Sequence, residues 1–384
     1  MFFFATLLAA FAASLVIHLW AVASFPWLTT RKRGVAAALA ALCVIPILAR
    51  WFVVHWHSQL ASDLQTIASL GLVTMALASP PIALLRFGFT RAKPEREPNE
   101  RPPEPVGITR RQVVEGTAGV AFLAGAGSML GWGMVCGRHQ FELCEIAVRI
   151  PGLPRTLDGY VIAQVSDIHV GAHVGERELG EGLALVQRAR PDLIAVTGDL
   201  VDFDPDAARL VARKLVDLAP RDGVLATLGN HDYYAGAGGV LSALRAAGVT
   251  ALVDEGRVVR AADAGGFALL GVDDKASRGY GRSGPRLERA LAMVPRELPR
   301  ILLSHQPTTV DLWPGQVALQ LSGHTHGGQI NPGSRTINLF FEYLAGPYSV
   351  RGTTLYVNRG FGTVGPPARV GAPPEVTRIV LVAA

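Results

Sequence analysis

Cysteine is nearly missing: the 384 residues contain three, Cys43, Cys136 and Cys144, and none beyond residue 144. That distribution excludes a disulfide framework or a cysteine-ligated zinc site in the C-terminal part and leaves the redox compartment unread. Charge is scarce as well. Charged residues make up 17% against 49% hydrophobic, with mean hydropathy +0.30, which excludes a disordered chain and argues against a purely soluble one. The C-terminal part also lacks an excess of either sign. Residues 151–384 carry 23 basic and 23 acidic side chains, so the net +5 arises in residues 1–150, with 13 basic and 8 acidic. Without a Lys/Arg stripe there is no support for a nucleic-acid partner, and the basic balance fits loops that flank membrane helices.

What is present begins with four apolar runs. They cover residues 2–28, Val35 to about Val54, about Leu64 to Leu85, and Gly116 to Gly137. About 20 apolar residues suffice to cross a bilayer. Arg31, Lys32 and Arg33 follow the first run; the loop His55–Asp63 has no Lys or Arg, whereas Arg86–Arg111 has seven. Positive loops stay in the cytoplasm. The expected organisation is a membrane region over 1–89 with about three transmembrane helices, a Pro/Arg/Glu-rich linker over 90–115, a fourth transmembrane helix over 116–137 and a C-terminal domain over 145–384. A single crossing by the fourth run sets the C-terminal domain on the non-cytoplasmic face of the plasma (inner) membrane. Gly125 and Gly127 in that run suit close helix packing rather than a dinucleotide loop, since no strand precedes them. Arg110-Arg111 ahead of it looks like a twin-arginine export signal; the plainer reading is more positive-inside charge.

From about residue 145 the pattern alternates. Strands are expected at Tyr160–Val165, Leu193–Thr197, Val224–Leu228, Val258–Ala262, Phe267–Val272, Ile301–Ser304, Ala318–Ser322, Thr353–Val357 and Val376–Val382. Helices are expected at Arg177–Arg190, Pro205–Leu218 and near Pro285–Met293, from apolar residues three or four apart. Many strands with few late helices predict an α/β fold in which two sheets pack face to face between helices.

Ligands of α/β sheets gather at the carboxyl ends of strands. Here those ends carry Ser166-Asp167-Ile168-His169, Gly198-Asp199, Gly229-Asn230-His231-Asp232, Ser304-His305 and Gly323-His324-Thr325-His326. Singly, an Asp or Asn at such a place is a helix cap or turn residue, and a lone His is a hydrogen-bonded loop residue. Collectively that account fails, because five of the ten histidines fall inside these five clusters. Carboxylate, imidazole and amide oxygen without thiolate suit Mn, Fe or Zn. Seven candidate ligands exceed the needs of one ion, and two divalent ions sharing a carboxylate would use them.

The ordered blocks Asp-x-His, Gly-Asp, Gly-Asn-His-Asp, Ser-His and Gly-His-x-His resemble the calcineurin-like metallophosphoesterase superfamily. The tail VNRGFGTVGPPARVGAPPEVTRIVLV and the run His-Thr-His-Gly-Gly-Gln resemble its membrane-anchored or exported branch. The resemblance implies a four-layer αββα sandwich metallophosphoesterase domain, here preceded by an N-terminal α-helical transmembrane region. It implies that Asp167, His169 and His326 hold one metal ion, Asn230, His305 and His324 a second, and that Asp199 bridges them. It further implies that a metal-bridging hydroxide attacks phosphorus, with His231 stabilising the phosphoryl oxygens or protonating the leaving group and Asp232 orienting His231. Many relatives carry Glu where this chain has Asp232.

The leading expectation is therefore a membrane-anchored phosphoesterase acting on a mono- or diester of lipid or cell-envelope origin. The alternative from the same branch is a nucleotide-lipid pyrophosphatase of the UDP-diacylglucosamine type, which needs the catalytic domain in the cytoplasm. A third reading is an inactive scaffold or sensor, set against the presence of all seven ligands. Arg359 and Arg369 in the tail are candidates for substrate phosphate, and His173 is read as a loop or rim residue. Oligomeric state is not legible.

Overall fold

The computed structural model describes residues 2–56, 59–91, 107–171, 173–260, 265–333, 337–338 and 341–384. The chain divides into two compact units, Met1–Trp132 and Gly133–Ala384.

The first unit is helical: α1 (Phe2–Ser24), α2 (Lys32–Trp56), α3 (Gln59–Arg91) and most of α4 (Arg110–Val135). Among the described residues, Pro26–Phe52, Leu60–Gly88 and Arg110–His139 are long and apolar enough to cross a membrane, and Leu8–Ser24 is a shorter apolar helix. The interior uses small side chains so that backbones approach closely. Ala13, Ile17 and Trp20 of α1 meet Met75, Ala78 and Ile82 of α3, and the Trp20 indole donates to the Glu115 carbonyl of α4 at 2.9 Å. Outward-facing Leu15, Leu19, Val44, Leu48, Trp51, Ile67 and Leu84 are exposed. So many exposed apolar side chains suit a lipid surround rather than water. Helix α4 starts six residues before the expected Gly116 and takes in the arginine pair, where Arg111 ion-pairs with buried Glu115 at 2.7 Å. Residues 92–106, most of the expected linker, lie outside the described residues.

The second unit begins at Gly133, earlier than the expected 145. Its elements are β1 (Glu142–Ile150), β2 (Val161–Val165), α5 (Glu176–Ala189), β3 (Leu193–Thr197), α6 (Ala207–Val216), β4 (Val224–Thr227), α7 (Asn230–Ala235), α8 (Ala237–Ala246) and β5 (Thr250–Ala251). They continue with β6 (Glu255–Val259), β7 (Phe267–Gly271), α9 (Leu287–Leu291), β8 (Arg300–Leu303), β9 (Leu319–Ser322), β10 (Gly346–Val350), β11 (Thr353–Val357) and β12 (Glu375–Ala383). One sheet has the order β1-β12-β2-β3-β4-β5 and the other β10-β11-β9-β8-β7-β6.

Strand β3 shows why the sheets stack. Leu193 and Ala195 face the second sheet, joining Ile301, Leu303, Leu319 and Leu321. Ile194 and Val196 face Val186 of α5 and Val211 and Leu215 of α6. On the far face of the second sheet, Ala268, Leu270 and Leu302 pack against Leu287 and Ala290 of α9. The result is the expected four-layer αββα sandwich. Burying one such side chain contributes about 1.5–3 kcal/mol. A buried polar residue needs a partner: Gln164 inside β2 donates to Thr197 Oγ1 and Ser322 O, and Gln320 inside β9 donates to Thr309 Oγ1, while the Asp, His and Asn clusters sit at strand ends. Residues 261–264 lie outside the described residues, including Ala261 and Ala262 of one expected strand. Strands β1, β5 and β10 and helices α7 and α8 were not among the expected elements.

Candidate metal centre

Strands β2, β3 and β4 pair in parallel, which lines up the clusters at 166–169, 198–199 and 229–232 on one sheet edge. Parallel β8 and β9 do the same for Ser304-His305 and Gly323–His326. The two edges meet. Gly198 marks one close approach: its φ is +87°, and a Cβ there would lie 2.6 Å from the Gly229 nitrogen and 2.9 Å from His305 Nδ1. Asp167, His169, Asp199, His324 and His326 all adopt left-handed φ between 51° and 74°. Each such non-glycine residue costs about 1–3 kcal/mol. The fold accepts that cost at five of the seven expected ligands, which places the strain at a functional site.

The side chains converge as two groups with a shared middle. Asp167 Oδ1 lies 3.3 Å from His326 Nε2, and His326 Nε2 lies 3.1 Å from His169 Nε2. In the other group, Asp199 Oδ2 lies 3.2 Å from His305 Nε2, which is 3.1 Å from His324 Nδ1. Asp199 Oδ2 also stands 3.6 Å from His169 Nε2, linking the two. His231 joins His169 and Asp199 in a third set of ligating atoms within 4.8 Å of one another. Asn230 is the seventh residue. Its Oδ1 is buried and has no hydrogen-bond partner among the described residues, while the following amide, His231 N, donates to Asp199 Oδ1 at 2.7 Å.

The electrostatics divide the imidazoles: burial would lower His305, but the Asp199 charge holds it well above the usual imidazole range. Burial, then His231, pushes His169 down to about 3; burial, then His305, pushes His324 down to about 4. Both rings are therefore neutral at physiological pH, with a lone pair available for a metal. Burial alone would raise Asp167 and Asp199, but the surrounding imidazoles hold both well below the usual carboxylate range. Two buried carboxylates, close-set imidazole nitrogens and an orphaned amide oxygen form a donor set that fits divalent cations of the Mn, Fe or Zn type.

Three expectations change on contact with the structure. Asp232 does not touch His231 through its carboxylate; it accepts from Asp199 N and Leu200 N, each at 2.9 Å, and from Gly229 N at 2.8 Å. Burial and the Asp199 charge raise it to about 7. The partner of His231 is Asp202, whose Oδ1 lies 3.0 Å from His231 Nδ1. Asp202 lies three residues after Asp199, in an acidic loop where the sequence does not set it apart from a turn residue. The tail arginines are also not on a solvated loop. Arg359 is held by Glu375 at 2.5 Å and Glu142 at 2.7 Å, and Arg369 is 1% exposed, so neither is poised for substrate. His173 stands apart from the ligand groups, beside Phe361 and Thr363.

A family model described as calcineurin-like phosphoesterase matches residues 160–328. A transmembrane protein with metallophosphoesterase domain from Danio rerio is 34% identical over 261 residues, covering 65% of this chain and 59% of that protein. An uncharacterised metallophosphoesterase of Campylobacter jejuni is 35% identical over 238 residues, with 61% and 62% covered. One of Bacillus subtilis is 32% identical over 295 residues, covering 71% of this chain and 98% of its own. This chain thus spans about three fifths of the length of the first two relatives and nearly all of the third.

Proposed function

This chain belongs to the calcineurin-like metallophosphoesterase family, and on that premise we propose that it is a membrane-anchored hydrolase of phosphate mono- or diesters that works with two divalent cations. Asp167, His169 and His326 hold one cation, Asn230, His305 and His324 the other, and Asp199 is common to both. The observation that carries this reading is the position of Asp199 Oδ2, 3.6 Å from an imidazole of one group and 3.2 Å from an imidazole of the other. When bound, such a cation pair supplies positive charge that lowers the pKa of water and offsets charge developing on phosphoryl oxygens.

The remaining work falls to the chain. His231, held through Nδ1 by Asp202, presents Nε2 to the phosphoryl group, where it donates a hydrogen bond or passes a proton to the leaving oxygen. Asp232 fixes three backbone amides beneath Asp199 and so holds the shared carboxylate in place. The α1–α4 helices anchor the protein in the plasma membrane, and the arginine-rich 86–111 segment favours the catalytic unit on the non-cytoplasmic face. The substrate is then a phosphate ester of lipid or cell-envelope origin.

The test uses the full chain in detergent, loaded with Mn and assayed on aryl phosphomonoesters and phosphodiesters. Asp199→Asn is expected to abolish turnover and disturb both cations. His231→Ala is expected to keep both cations and lose about 10²–10⁴-fold in rate. Undiminished turnover by Asp199→Asn, or a fully loaded wild-type chain inert on every phosphate ester, would sink the reading.

A further inference from the structure

Arg369 is the largest fully buried side chain in the described residues, at 1% exposed. No carboxylate pairs with it among the described residues. Instead its guanidinium is surrounded by backbone carbonyls. Nε donates to Gly362 O at 2.9 Å, and Nη1 to Arg359 O at 2.8 Å, Ala372 O at 3.0 Å and His326 O at 3.4 Å. Nη2 donates to Gly360 O at 3.1 Å and Gly362 O at 2.5 Å, and lies 3.2 Å from His326 Nδ1. Burying a cation with no carboxylate in ion-pair contact is costly, so an apolar residue would be expected here if packing were the only demand.

Three of those carbonyls, of Arg359, Gly360 and Gly362, belong to a loop with a second attachment. Phe361 N donates to Ser166 O at 2.8 Å and Gly362 N to Asp167 O at 2.7 Å. Gly362 itself has no room for a side chain, since a Cβ would meet Ile168 O at 2.1 Å. Arg369 therefore donates to the His326 carbonyl and grips the loop that holds the main chain of Ser166 and Asp167. Its direct contacts do not reach Asn230, His305 or His324. It also lies beyond residues 160–328, the span matched by the family model.

Building on the two-cation reading above, we propose that Arg369 is a positioning residue for one half of the centre, orienting Asp167 and His326 for the first cation while leaving the second cation's ligands largely undisturbed. The planar five-donor fork is what the role requires. Lysine carries the charge but cannot reach carbonyls on several sides at once.

The experiment measures cation stoichiometry and affinity of the full chain in detergent, by Mn titration with elemental analysis and with electron paramagnetic resonance to read coupling between neighbouring Mn ions. Wild type should bind two Mn with a coupled signal. Arg369→Lys and Arg369→Gln should each keep one Mn tightly, hold the other about 10–100-fold more weakly, and lose the coupled signal. His305→Ala is the mirror variant, weakening the second cation. Arg369 variants that bind two Mn as wild type does would overturn the proposal. So would equal weakening of both ions, or failure of both variants to fold, which would make Arg369 a determinant of the fold alone. If wild type itself binds no second Mn, the two-cation reading fails first, and that outcome is distinct from two Mn bound by both wild type and Arg369→Lys.

Discussion

Asp202 and Asp232 are both aspartates a few positions from a candidate ligand, yet they serve opposite sides of it. Neighbouring positions on a helix point about 100° apart, so Asp232 at the start of α7 turns away from His231 and beneath the backbone of Asp199 and Leu200. Asp202 reaches His231 from the other strand's loop. A carboxylate behind an imidazole fixes its tautomer and ring orientation, and losing such a partner costs about 10–100-fold. Asp202→Asn is expected to lower kcat by about that factor with KM and bound metal unchanged; steady-state kinetics alongside elemental analysis checks it. Loss of metal together with rate would instead place Asp202 in the cation cage. The seven candidate ligands stood out in the sequence because imidazoles crowd into strand-end clusters. Asp202 did not, because one aspartate in a short acidic loop looks like any turn residue.

The central strands were legible for a physical reason: β2, β3, β4, β7, β8 and β9 are largely buried and read as mainly apolar runs, interrupted by Gln164 in β2 and Gln320 in β9, bounded by polar clusters. The edges were not. Strand β1 is half-exposed and carries Glu142, Glu145 and Arg149; β10 contains Gly346, which weakens the strand signal, and Pro347, which is tolerated where a strand lacks a neighbour on one side. The close approach of α5 to the tail loop was also hidden. Gly182 lies against the Phe361 ring, and a Cβ there would sit 2.0 Å from the ring edge. Gly182→Ala would gain about 1 kcal/mol in helix propensity, but overpacking of a rigid ring costs about 1–3 kcal/mol. The expected result is net destabilisation or no gain, with a displaced Phe361 loop and weaker binding of the first Mn. Thermal unfolding of the full chain in detergent, with Mn titration, checks this. A stabilised variant with wild-type Mn binding would show that the α5 contact does not support the site.

At the scale of the whole molecule, apolar exposure divides the chain. Among the described residues, the exposed large hydrophobic side chains beyond Val135 are Tyr234, Tyr280, Met293 and Leu312, whereas the first unit exposes many more. That division fits a helical unit solvated by lipid and a catalytic unit solvated by water. Orientation rests on the seven basic residues of 86–111 and on a crossing by α4. An alkaline phosphatase fused after Ala384 is expected to be active and a fluorescent protein there dark; the reverse pattern would put the catalytic unit in the cytoplasm and favour the nucleotide-lipid pyrophosphatase alternative. By itself, the amino-acid sequence determined the two-part organisation, the strand-end clusters and the donor types, since periodicity, hydropathy and side-chain chemistry are local properties. Only the tertiary structure decided which aspartate stands behind His231 and which carbonyls surround Arg369. Those assignments depend on main-chain segments far apart in sequence meeting at one point, where left-handed turns aim each side chain and local pattern carries no record of direction.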